Sequence, residues 1–405
     1  MLSFLTTEYA GVGGVIKTRV EDFFVEELPL HQSCGEGTQV YALIEKREIS
    51  TMDALGTIAR ALGIRRQDIG YAGQKDARAV ARQWISIDHI KIEKLQELLI
   101  PKVKMLEFAH HDKKLKVGQL AGNRFVIRLR KLQRPMREAV KIAKDVLEIL
   151  GKRGVPNFFG AQRFGNRSDS QHLGLAIIKG NTEEFVDLLL GGSSDGELPA
   201  FSEARRLYER RDYKGAFDKW PYSFADQRRA MKTLIETDGN KRKAYNVVDK
   251  QLKKFFVSAY QSELFNQVLD ARMPDIDKLL TGDMAYKHIS GAMFKVEDVA
   301  LEQPRCEAFE ISPTGPLIGG RMAALTGPAG DIENRILAKT QLEKKDLEQL
   351  GNYVRGGRRP LRFRPRNWAV SSDRDDIGQY LELKFELDSG SYATTLLREI
   401  SKNDI

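Results

Sequence analysis

Two widely separated segments of the chain alternate charged or polar residues with apolar ones. They are Arg124–Arg130 and Leu381–Leu387. This alternation is typical of a strand that buries one face and exposes the other to water. Between them helical patterns dominate, as in Glu183–Leu190 and Lys254–Arg272. The sequence therefore predicts a mixed α and β protein, and the return of strand character near the end suggests that a middle domain is inserted into the first one.

Further periodic segments and turn residues predict individual elements. Val15–Glu26 and Gln39–Lys46 are predicted strands. A helix is predicted to begin at Pro135 and to end at Gly151, because proline suits a first helical position and glycine a helix end. Pro304–Gly330 has the composition of a turn-rich region. We place the first domain boundary between residues 151 and 156.

Composition limits the class of protein. A chain of 405 residues predicts two or three domains at the usual size of roughly 100 to 200 residues each. Apolar residues make up 41% and charged residues 30%, as in globular proteins. No apolar run approaches the roughly 18 residues that cross a bilayer. We therefore expect a soluble cytoplasmic protein without a membrane segment.

Cysteine and histidine are sparse and unpaired in sequence. The two cysteines, Cys34 and Cys306, lie far apart, and the six histidines form no metal-binding spacing such as HExxH. The sequence therefore predicts neither a disulfide framework nor a metal site. No GxxxxGK[ST] motif occurs, and the glycines at 11, 13 and 14 lack the strand and helix of a dinucleotide-binding turn. With these motifs absent, the sequence favours an activity that needs no cofactor.

Positive charge is concentrated in three regions. Residues 101–135 hold ten Lys or Arg against two acids, a second excess spans 202–243, and the third is an arginine run from Arg355 to Arg366. Such a cluster is often only a solvated face. Three of them, interleaved with glycine and aromatic residues, favour a nucleic-acid partner that contacts the strand 124–130 and the arginine run.

The segment Gly70–Ala79 places Asp76 on a glycine-flanked loop with Lys75 before it and Arg78 after it. Nearby cations favour an ionised carboxylate, which suits a nucleophile or a base. The glycines at 70 and 73 are expected to allow a tight turn. From these residues alone, a surface turn with an ordinary ion pair is the alternative.

Six motifs in order give the chain a resemblance to a known family. They are Lys17 with Glu21-Asp22-Phe23, Gly70-Tyr71-Ala72-Gly73-Gln74-Lys75-Asp76, Gly122-Asn123-Arg124-Phe125, Val155-Pro156-Asn157-Phe158-Phe159-Gly160 with Gln162-Arg163-Phe164-Gly165, Ser258-Ala259-Tyr260-Gln261-Ser262 with Leu264-Phe265-Asn266, and Gly390-Ser391-Tyr392-Ala393-Thr394 with Leu397-Arg398-Glu399. The chain resembles the TruD family of tRNA pseudouridine synthases, and its long insertion looks archaeal in type.

The resemblance implies an α+β fold, with a pseudouridine synthase catalytic domain of mostly antiparallel sheet and flanking helices. An α/β insertion specific to TruD would interrupt it. We assign residues 1–152 and 353–405 to the catalytic domain and 153–352 to the insertion. The implied activity is isomerisation of uridine to pseudouridine in tRNA, at position 13, after base flipping. The implied partner is tRNA, without a cofactor; the oligomeric state stays open.

The resemblance also implies roles for single residues. Asp76 is the catalytic residue, which either attacks C1′ of the ribose or removes a ribose proton to give a glycal; the sequence does not separate the two. Lys17 is expected to pair with Asp76, and Phe125 to stack on the uracil. Asn123 and Arg78 complete the expected substrate contacts. Ala77 departs from the family, which often carries a basic residue at that position.

Two other functions remain open at this point. A non-catalytic RNA-binding protein on the same scaffold would have no need of the Asp76 carboxylate. A nuclease or other RNA enzyme would usually have a cluster of metal-binding carboxylates or a histidine pair, which the sequence lacks. The presence of Asp76 together with Lys17 and Phe125 favours the synthase.

Overall fold

The computed structural model describes residues 2–31, 34–165, 167–192, 199–320, 322–340 and 342–403. Its strands, in chain order, are β1 Gly13–Val15, β2 Phe23–Pro29, β3 Gln39–Arg47, β4 Gly70–Tyr71, β5 Val80–Asp88, β6 Val103–His111, β7 Leu120–Leu132, β8 Val155–Pro156, β9 Met284–Lys287, β10 Met293–Lys295, β11 Ile311–Leu317, β12 Gly357–Pro360, β13 Arg362–Phe363, β14 Arg366–Asp375 and β15 Gly378–Asp388.

Its α-helices, in the same order, are α1 Thr51–Leu62, α2 Ile92–Gln96, α3 Met136–Arg153, α4 Ser170–Ile178, α5 Thr182–Leu190, α6 Pro199–Glu209, α7 Tyr213–Lys219, α8 Ala225–Glu236, α9 Lys241–Asn246, α10 Lys250–Ala271, α11 Val299–Glu307, α12 Gly327–Lys339, α13 Lys344–Gly351 and α14 Ala393–Ser401. No helix in the described part of the chain has both the length and the apolar character needed to span a bilayer.

The chain divides into two compact units. The sheet unit comprises Phe4–Asn157 together with the chain from Arg362 onward, and the helical unit comprises Phe158–Leu361 together with the start of the chain through Ser3. The chain thus leaves the sheet unit and later returns to it. The crossings lie at 157/158 and 361/362, so residues 353–361, including β12, are packed with the helical unit.

In the sheet unit, a mixed sheet has the strand order β14, β15, β7, β2, β5, β3, β6, with β1 beside β7 and β4 beside β5, and β8 pairs separately with β13. The pairing of β2 with β5 is parallel and the other pairings are antiparallel. The α+β architecture with a mostly antiparallel sheet is the one expected. The predicted strand 15–26 is in fact two strands, β1 and β2, separated by a turn.

Cross-strand register divides the sheet into two faces. Paired residues share a face, and residues two apart along a strand do too. One face, here called the site face, carries Phe23, Val25 and Glu27 of β2, together with Asn123 and Phe125 of β7. It continues through Phe385 of β15 and Lys46 of β3, which follow from the pairings of those strands.

Helix α1 packs on the β3 and β5 part of this face. Its N-terminus is capped by Ser50, whose Oγ accepts a hydrogen bond from Asp53 N at 3.1 Å, and it ends at Gly63 with a left-handed φ of 69°. Leu55 and Ile58 are fully buried against Val40, Ile44 and other strand residues. This packing holds the start of α1 next to the loop that follows β4.

Helix α3 begins where proline predicted but ends later than Gly151. It continues to Arg153, and Gly154, with φ 91°, follows its end. Gly151 directly follows Leu147 and Leu150, which are fully buried, so the last packed turn of the helix reaches the glycine, and Gly154 N then donates to Leu150 O at 2.9 Å.

The helical unit is built around α10, which packs against α4 and contributes Phe256, Tyr260 and Leu264 to an apolar core. A small antiparallel sheet in the order β10, β9, β11, β12 completes it.

The prediction that 304–330 is a turn-rich region is wrong, since it contains the end of α11, all of β11 and the start of α12. Proline and glycine in β11 misled the prediction, although this strand is almost entirely buried.

Candidate active site

Asp76 lies on the loop between β4 and β5, and its carboxylate faces Lys17. The Lys17 Nζ atom is 2.9 Å from Asp76 Oδ2, with side-chain exposures of 18% and 36%. Lys17 has a left-handed φ of 56°, a conformation that is uncommon for a residue with a side chain and that clusters at functional sites. The ion pair therefore joins a constrained turn before β2 to the loop before β5, and leaves one carboxylate edge accessible.

The cation next to Asp76 in sequence is not its partner. Lys75 turns in the other direction and places its Nζ 2.7 Å from Glu27 Oε2, in a pair whose side chains are 4% and 2% exposed. Burial raises the pKa of Glu27, and Lys75 opposes that rise. This corrects the expectation that Lys75 flanks the Asp76 carboxylate: residues adjacent on an extended loop project in opposite directions.

The main chain of the Asp76 loop is held by Lys46, a fully buried residue at the end of β3. Its Nζ donates to the carbonyl oxygens of Asp76 at 2.7 Å, Ile49 at 2.8 Å and Lys75 at 3.2 Å. An ammonium group has three donors, and these three carbonyls use all of them. Burial lowers the pKa of Lys46 to about 8, while Asp76 raises it and Lys75 lowers it further.

Two neutral side chains extend this support. Thr51 Oγ1 accepts from Lys75 N at 2.9 Å and donates to Gln83 Oε1 at 2.8 Å. Gln83 Nε2 then donates to Gly73 O at 3.2 Å. The backbone from residue 73 to residue 76 is thus fixed by hydrogen bonds from α1, β3 and β5, which is the kind of supporting shell that keeps a reactive group in place.

Gly70 serves a different purpose from the one predicted. A Cβ atom at this position would lie 2.4 Å from Leu115 O and 2.4 Å from Ser86 Oγ. Glycine is therefore required by the close approach of neighbouring backbone rather than by a tight turn.

Phe125 and Phe23 bring the site face to the ion pair. Lys17 Nζ lies 4.3 Å from the Phe23 ring centroid, and the Phe23 and Phe125 centroids are 6.1 Å apart in an edge-on arrangement. Phe125 is 7% exposed and stacks on Phe385 at 5.4 Å. The structure thus brings Phe125 to the same cluster as Lys17 and Asp76, with its ring largely covered by other aromatic rings.

Asn123 lies on the same face, opposite Glu27 in the register of β2 and β7. Its Oδ1 is buried and has no hydrogen-bond partner among the described residues. A buried acceptor without a partner is uncommon in folded proteins and calls for a donor from water or from a ligand.

Arg78 is exposed and donates to the main-chain oxygen of Lys17 at 3.5 Å. Together with Lys17, Arg19 and Arg47 it lines a concavity of about 320 Å³, to which Glu21 and Glu48 contribute acidic groups. This concavity adjoins the ion pair of Lys17 with Asp76. Arg19 and Arg47 are paired with Asp375 and Glu21, so Arg78 is the cation of the concavity that has no ion pair among the described residues.

The arginines of β7 do not form the free basic face that the sequence predicts. Arg124 pairs with Glu26 and Glu386, Arg128 with Glu382, and Arg130 with Asp22 and Asp375. Acidic residues on the neighbouring strands β2, β14 and β15 neutralise them. Sequence distance hides such partners, which become neighbours only when the sheet forms.

The arginine run from 355 to 366 is likewise partly internal. Arg358 pairs with Glu333 inside the helical unit, and both side chains are buried. Arg362 is fully buried and donates to Arg153 O at 2.8 Å in the sheet unit. The expectation that this run presents a continuous phosphate-binding surface is therefore wrong at these two positions, where the guanidinium groups hold the fold together.

Comparison with known proteins bears on the whole chain. Residues 2–400 match the family model described as tRNA pseudouridine synthase D (TruD). A tRNA pseudouridine synthase D of Geobacter metallireducens is 42% identical over 400 residues, covering 98% of this chain and 97% of that protein. The chain belongs to the TruD family. It is therefore an enzyme, a tRNA pseudouridine synthase that isomerises uridine to pseudouridine in tRNA.

Other relatives agree with this TruD assignment. The protein of that description from Geotalea daltonii is 40% identical over the full length of both chains, and a probable one from Thermococcus onnurineus is 33% identical over 411 residues. A crystal structure assigned to TruD from Methanosarcina mazei has a TM-score of 0.84 at 27% identity, covering 99% of this chain and 96% of its own. The higher identities to the Geobacter and Geotalea proteins do not favour the archaeal type suggested by the sequence.

Sequence reasoning missed several residues of this TruD site. Phe23 lies within the first motif of the family resemblance, which implied no role for it in the site. Lys46 carries a readable signal, because it follows Ala42 and Ile44 at the alternate positions of a strand that point inward. Glu27 shares that signal, at an inward position after Phe23 and Val25. A charged residue at an inward strand position is expected to have a buried partner or a functional role.

One group of side chains has the chemistry of a metal site. Cys34, His111 and Asp112 place one potential ligand atom each within 4.8 Å of one another, and no other group of this kind occurs in the described part of the chain. His111 Nδ1 accepts from Lys113 N at 3.0 Å and lies 2.8 Å from Asp112 Oδ1. None of these residues belongs to the cluster around Asp76.

Proposed function

We propose that the chain modifies uridine 13 of tRNA and that Asp76 is the catalytic group. The supporting observation is the ion pair between Lys17 and Asp76 at the rim of an aromatic cluster, with the loop of Asp76 held by buried donors. Such a carboxylate is positioned before the substrate arrives, which lowers the entropic part of the barrier.

The reaction breaks the bond from C1′ to N1 of uracil, rotates the base and forms the bond from C1′ to C5. The hydrogen on C5 is lost and N1 gains one, so the atoms balance without an outside reagent. Asp76 either attacks C1′ or removes a ribose proton to form a glycal, and both routes need the carboxylate beside the sugar. Lys17 holds its orientation in either route.

The detached uracil must be kept in the site while it rotates. The target uridine leaves the RNA stack to reach the site. The edge of Phe125 and the neighbouring Phe23 ring supply the apolar contact, and Asn123 Oδ1 accepts the N3–H of the base, which would satisfy this buried oxygen. Arg78 takes the adjacent phosphate in the concavity that it lines.

The domain assignment from the sequence, with a catalytic domain of residues 1–152 and 353–405 and an insertion of 153–352, also stays a proposal; the chain crosses between the two compact units at 157/158 and 361/362. We place the enzyme in the cytoplasm, where its substrate is found, and propose that it works without a cofactor.

The experiment that tests this function is incubation of the purified protein with an unmodified tRNA transcript, followed by chemical mapping of pseudouridine at single-nucleotide resolution. A transcript with cytidine at position 13 is the control. The proposal predicts one modified position, 13, and no product in the control. Modification at another position, with none at 13, would contradict the assignment of the target.

A further inference from the structure

A second cavity lies in the sheet unit, apart from the cluster around Asp76. It has a volume of about 670 Å³, and its wall includes Tyr41 of β3, Trp84 of β5 and His111 of β6. The Tyr41 and His111 rings are stacked, with centroids 4.7 Å apart and planes 13° apart. Neither Lys17, Asp76, Asn123 nor Phe125 lines this cavity, so the site described above does not account for it.

The cavity has the composition of a binding site for a flat, partly polar molecule. Sites for small ligands typically measure about 300 to 1,000 Å³ and combine an apolar or aromatic wall with a few polar groups. Here Leu30 and Leu115 add apolar surface, while Glu107 and Gln119 add polar groups. Leu30 is 49% exposed, so part of this apolar surface is open to solvent.

The wall of this cavity is built on the segment that leads to Asp76. Ala72, four residues before Asp76, packs in one apolar cluster with Leu115 and Leu120, against which Tyr41 and Trp84 also pack. Gly118 N donates to Ala72 O at 2.8 Å. Glu27, which lines the cavity, forms the buried ion pair with Lys75. A molecule bound in this cavity would therefore contact side chains that pack against the segment leading to Asp76.

Positive charge borders the opening. Lys113 lines the cavity and its side chain is 79% exposed, with Asp112 3.7 Å from its Nζ, and Lys116 is exposed on the same loop. Lys114 is engaged with Gln67 O at 2.7 Å. The exposed lysines match the charge of a phosphodiester that would enter with a base.

We propose that this cavity binds an unstacked nucleobase of the tRNA substrate, other than the target uridine. The inference rests on tRNA being the substrate and does not depend on the role of Asp76. The base stacks on the aromatic wall of Tyr41 and Trp84, and its phosphate faces Lys113 and Lys116. Stacking on aromatic side chains is how proteins commonly hold bases that have left a helix.

The polar groups favour a base with an exocyclic amino group. The Glu107 carboxylate is an acceptor for such an amino group. Gln119 accepts from Lys116 N through Oε1 at 2.7 Å, which leaves its NH2 group to donate to a ring nitrogen or carbonyl of the base. Adenine, guanine and cytosine carry the amino group that the carboxylate needs, and uracil does not.

The test compares Trp84→Leu, Trp84→Phe and the control Trp368→Leu, which alters another half-buried tryptophan of the same unit. Binding of unmodified tRNA is measured at equilibrium in the Asp76→Asn background, and the tRNA is assayed for pseudouridine afterwards, so that any conversion during the measurement is detected. Trp84→Leu is expected to weaken binding about 5- to 150-fold, the loss that corresponds to one stacked base. Trp84→Phe keeps an aromatic face and is expected to retain most of the affinity, and the control to bind as the parent does.

Further measurements test whether a nucleobase of the tRNA binds in the cavity. The exposed double variant Lys113→Gln with Lys116→Gln is expected to lower the slope of log affinity against log salt by about one to two. Unchanged affinity in Trp84→Leu, or an unchanged salt slope in the lysine variant, would overturn the proposal. Tight binding of free adenosine monophosphate that tRNA does not displace would instead identify a small-molecule site. Loss or retention of turnover in Asp76→Asn bears only on the proposed catalytic role.

Discussion

The buried ammonium group of Lys46 donates a hydrogen bond to the main-chain oxygen of Asp76 at 2.7 Å. The residue that holds the main chain of the Asp76 loop is therefore separate from Lys17, which contacts the carboxylate itself. One cation acts on the backbone and the other on the side chain, so their removal should have different consequences.

Lys46 is predicted to make turnover depend on pH. Burial lowers its pKa from 10.5 to about 8. As the pH rises through about 8 the folded protein releases this proton, so one of the three N–H donors is lost and the loop loosens. Turnover is expected to fall across pH 7 to 9 in the wild type, measured as kcat against pH. In Lys46→Met we expect a lower rate and no such fall.

The same group affects stability in the opposite sense. Between about pH 8 and 10.5 the unfolded chain holds the lysine proton that the folded protein has released. The free energy of unfolding contributed by Lys46 therefore rises with pH in this window. If kcat declines over this pH range while the free energy of unfolding, measured with denaturant, does not, then the decline comes from the position of the loop and not from unfolding. Identical pH profiles for the wild type and Lys46→Met would contradict the assignment.

Lys17→Met should slow catalysis with little effect on tRNA affinity. The substitution removes the group 2.9 Å from Asp76 Oδ2 and leaves the loop contacts of Lys46 in place. We expect kcat to fall about 10²-fold, as a small misplacement of a reactive group can cause. Single-turnover rates and filter binding measure the two effects. Lys17→Arg, which retains a cation, is the control, and a normal rate in Lys17→Met would argue against its role.

The buried pair of Lys75 and Glu27 is predicted to be structural. Lys75→Met leaves the Glu27 carboxylate buried without its cation, and breaking a buried pair costs about 3 to 5 kcal/mol of unfolding free energy. Lys102→Met, which removes an exposed partner of Glu48, should cost less than about 1 kcal/mol. Denaturant unfolding measures both.

Because burial raises the pKa of Glu27, the folded protein takes up this proton at a higher pH than the unfolded chain. The free energy of unfolding of Lys75→Met should therefore increase as the pH falls toward the ordinary range of a carboxyl group. The double variant Lys75→Met with Glu27→Leu should recover most of the stability. Equal losses in the single and double variants would count against a coupled pair.

Arg128 is predicted to contribute little to tRNA binding. Its guanidinium Nε lies 3.1 Å from Glu382 Oε2, so its charge is already neutralised. Arg128→Gln should leave the slope of log affinity against log salt unchanged, as measured between 50 and 300 mM salt, roughly the range in which phosphate contacts are detected. A slope reduced by about one would show that this side chain reaches a phosphate after all.

Local pattern was enough to predict the strands β3 and β7, the start of α3 and the identity of the Asp76 loop. The pairing of Lys17 with Asp76 was implied by the family resemblance. The sequence could not predict which charged residues pair across the sheet. Arg130 contacts Asp22 and Asp375 only because β7 lies between β2 and β15 in the folded sheet. The same limit hid the contact of Lys46 with the loop, because thirty positions of chain separate two groups that tertiary structure joins.

The most direct test of the account is the rate of pseudouridine formation by Asp76→Asn under single-turnover conditions, with tRNA affinity measured on the same protein. Asparagine keeps the size of the side chain and the backbone contacts with Lys46, and removes the negative oxygen. We predict a rate lowered by at least about 10²-fold with affinity within a few-fold of the wild type. A variant that still converts uridine 13 at the wild-type rate would contradict the central claim.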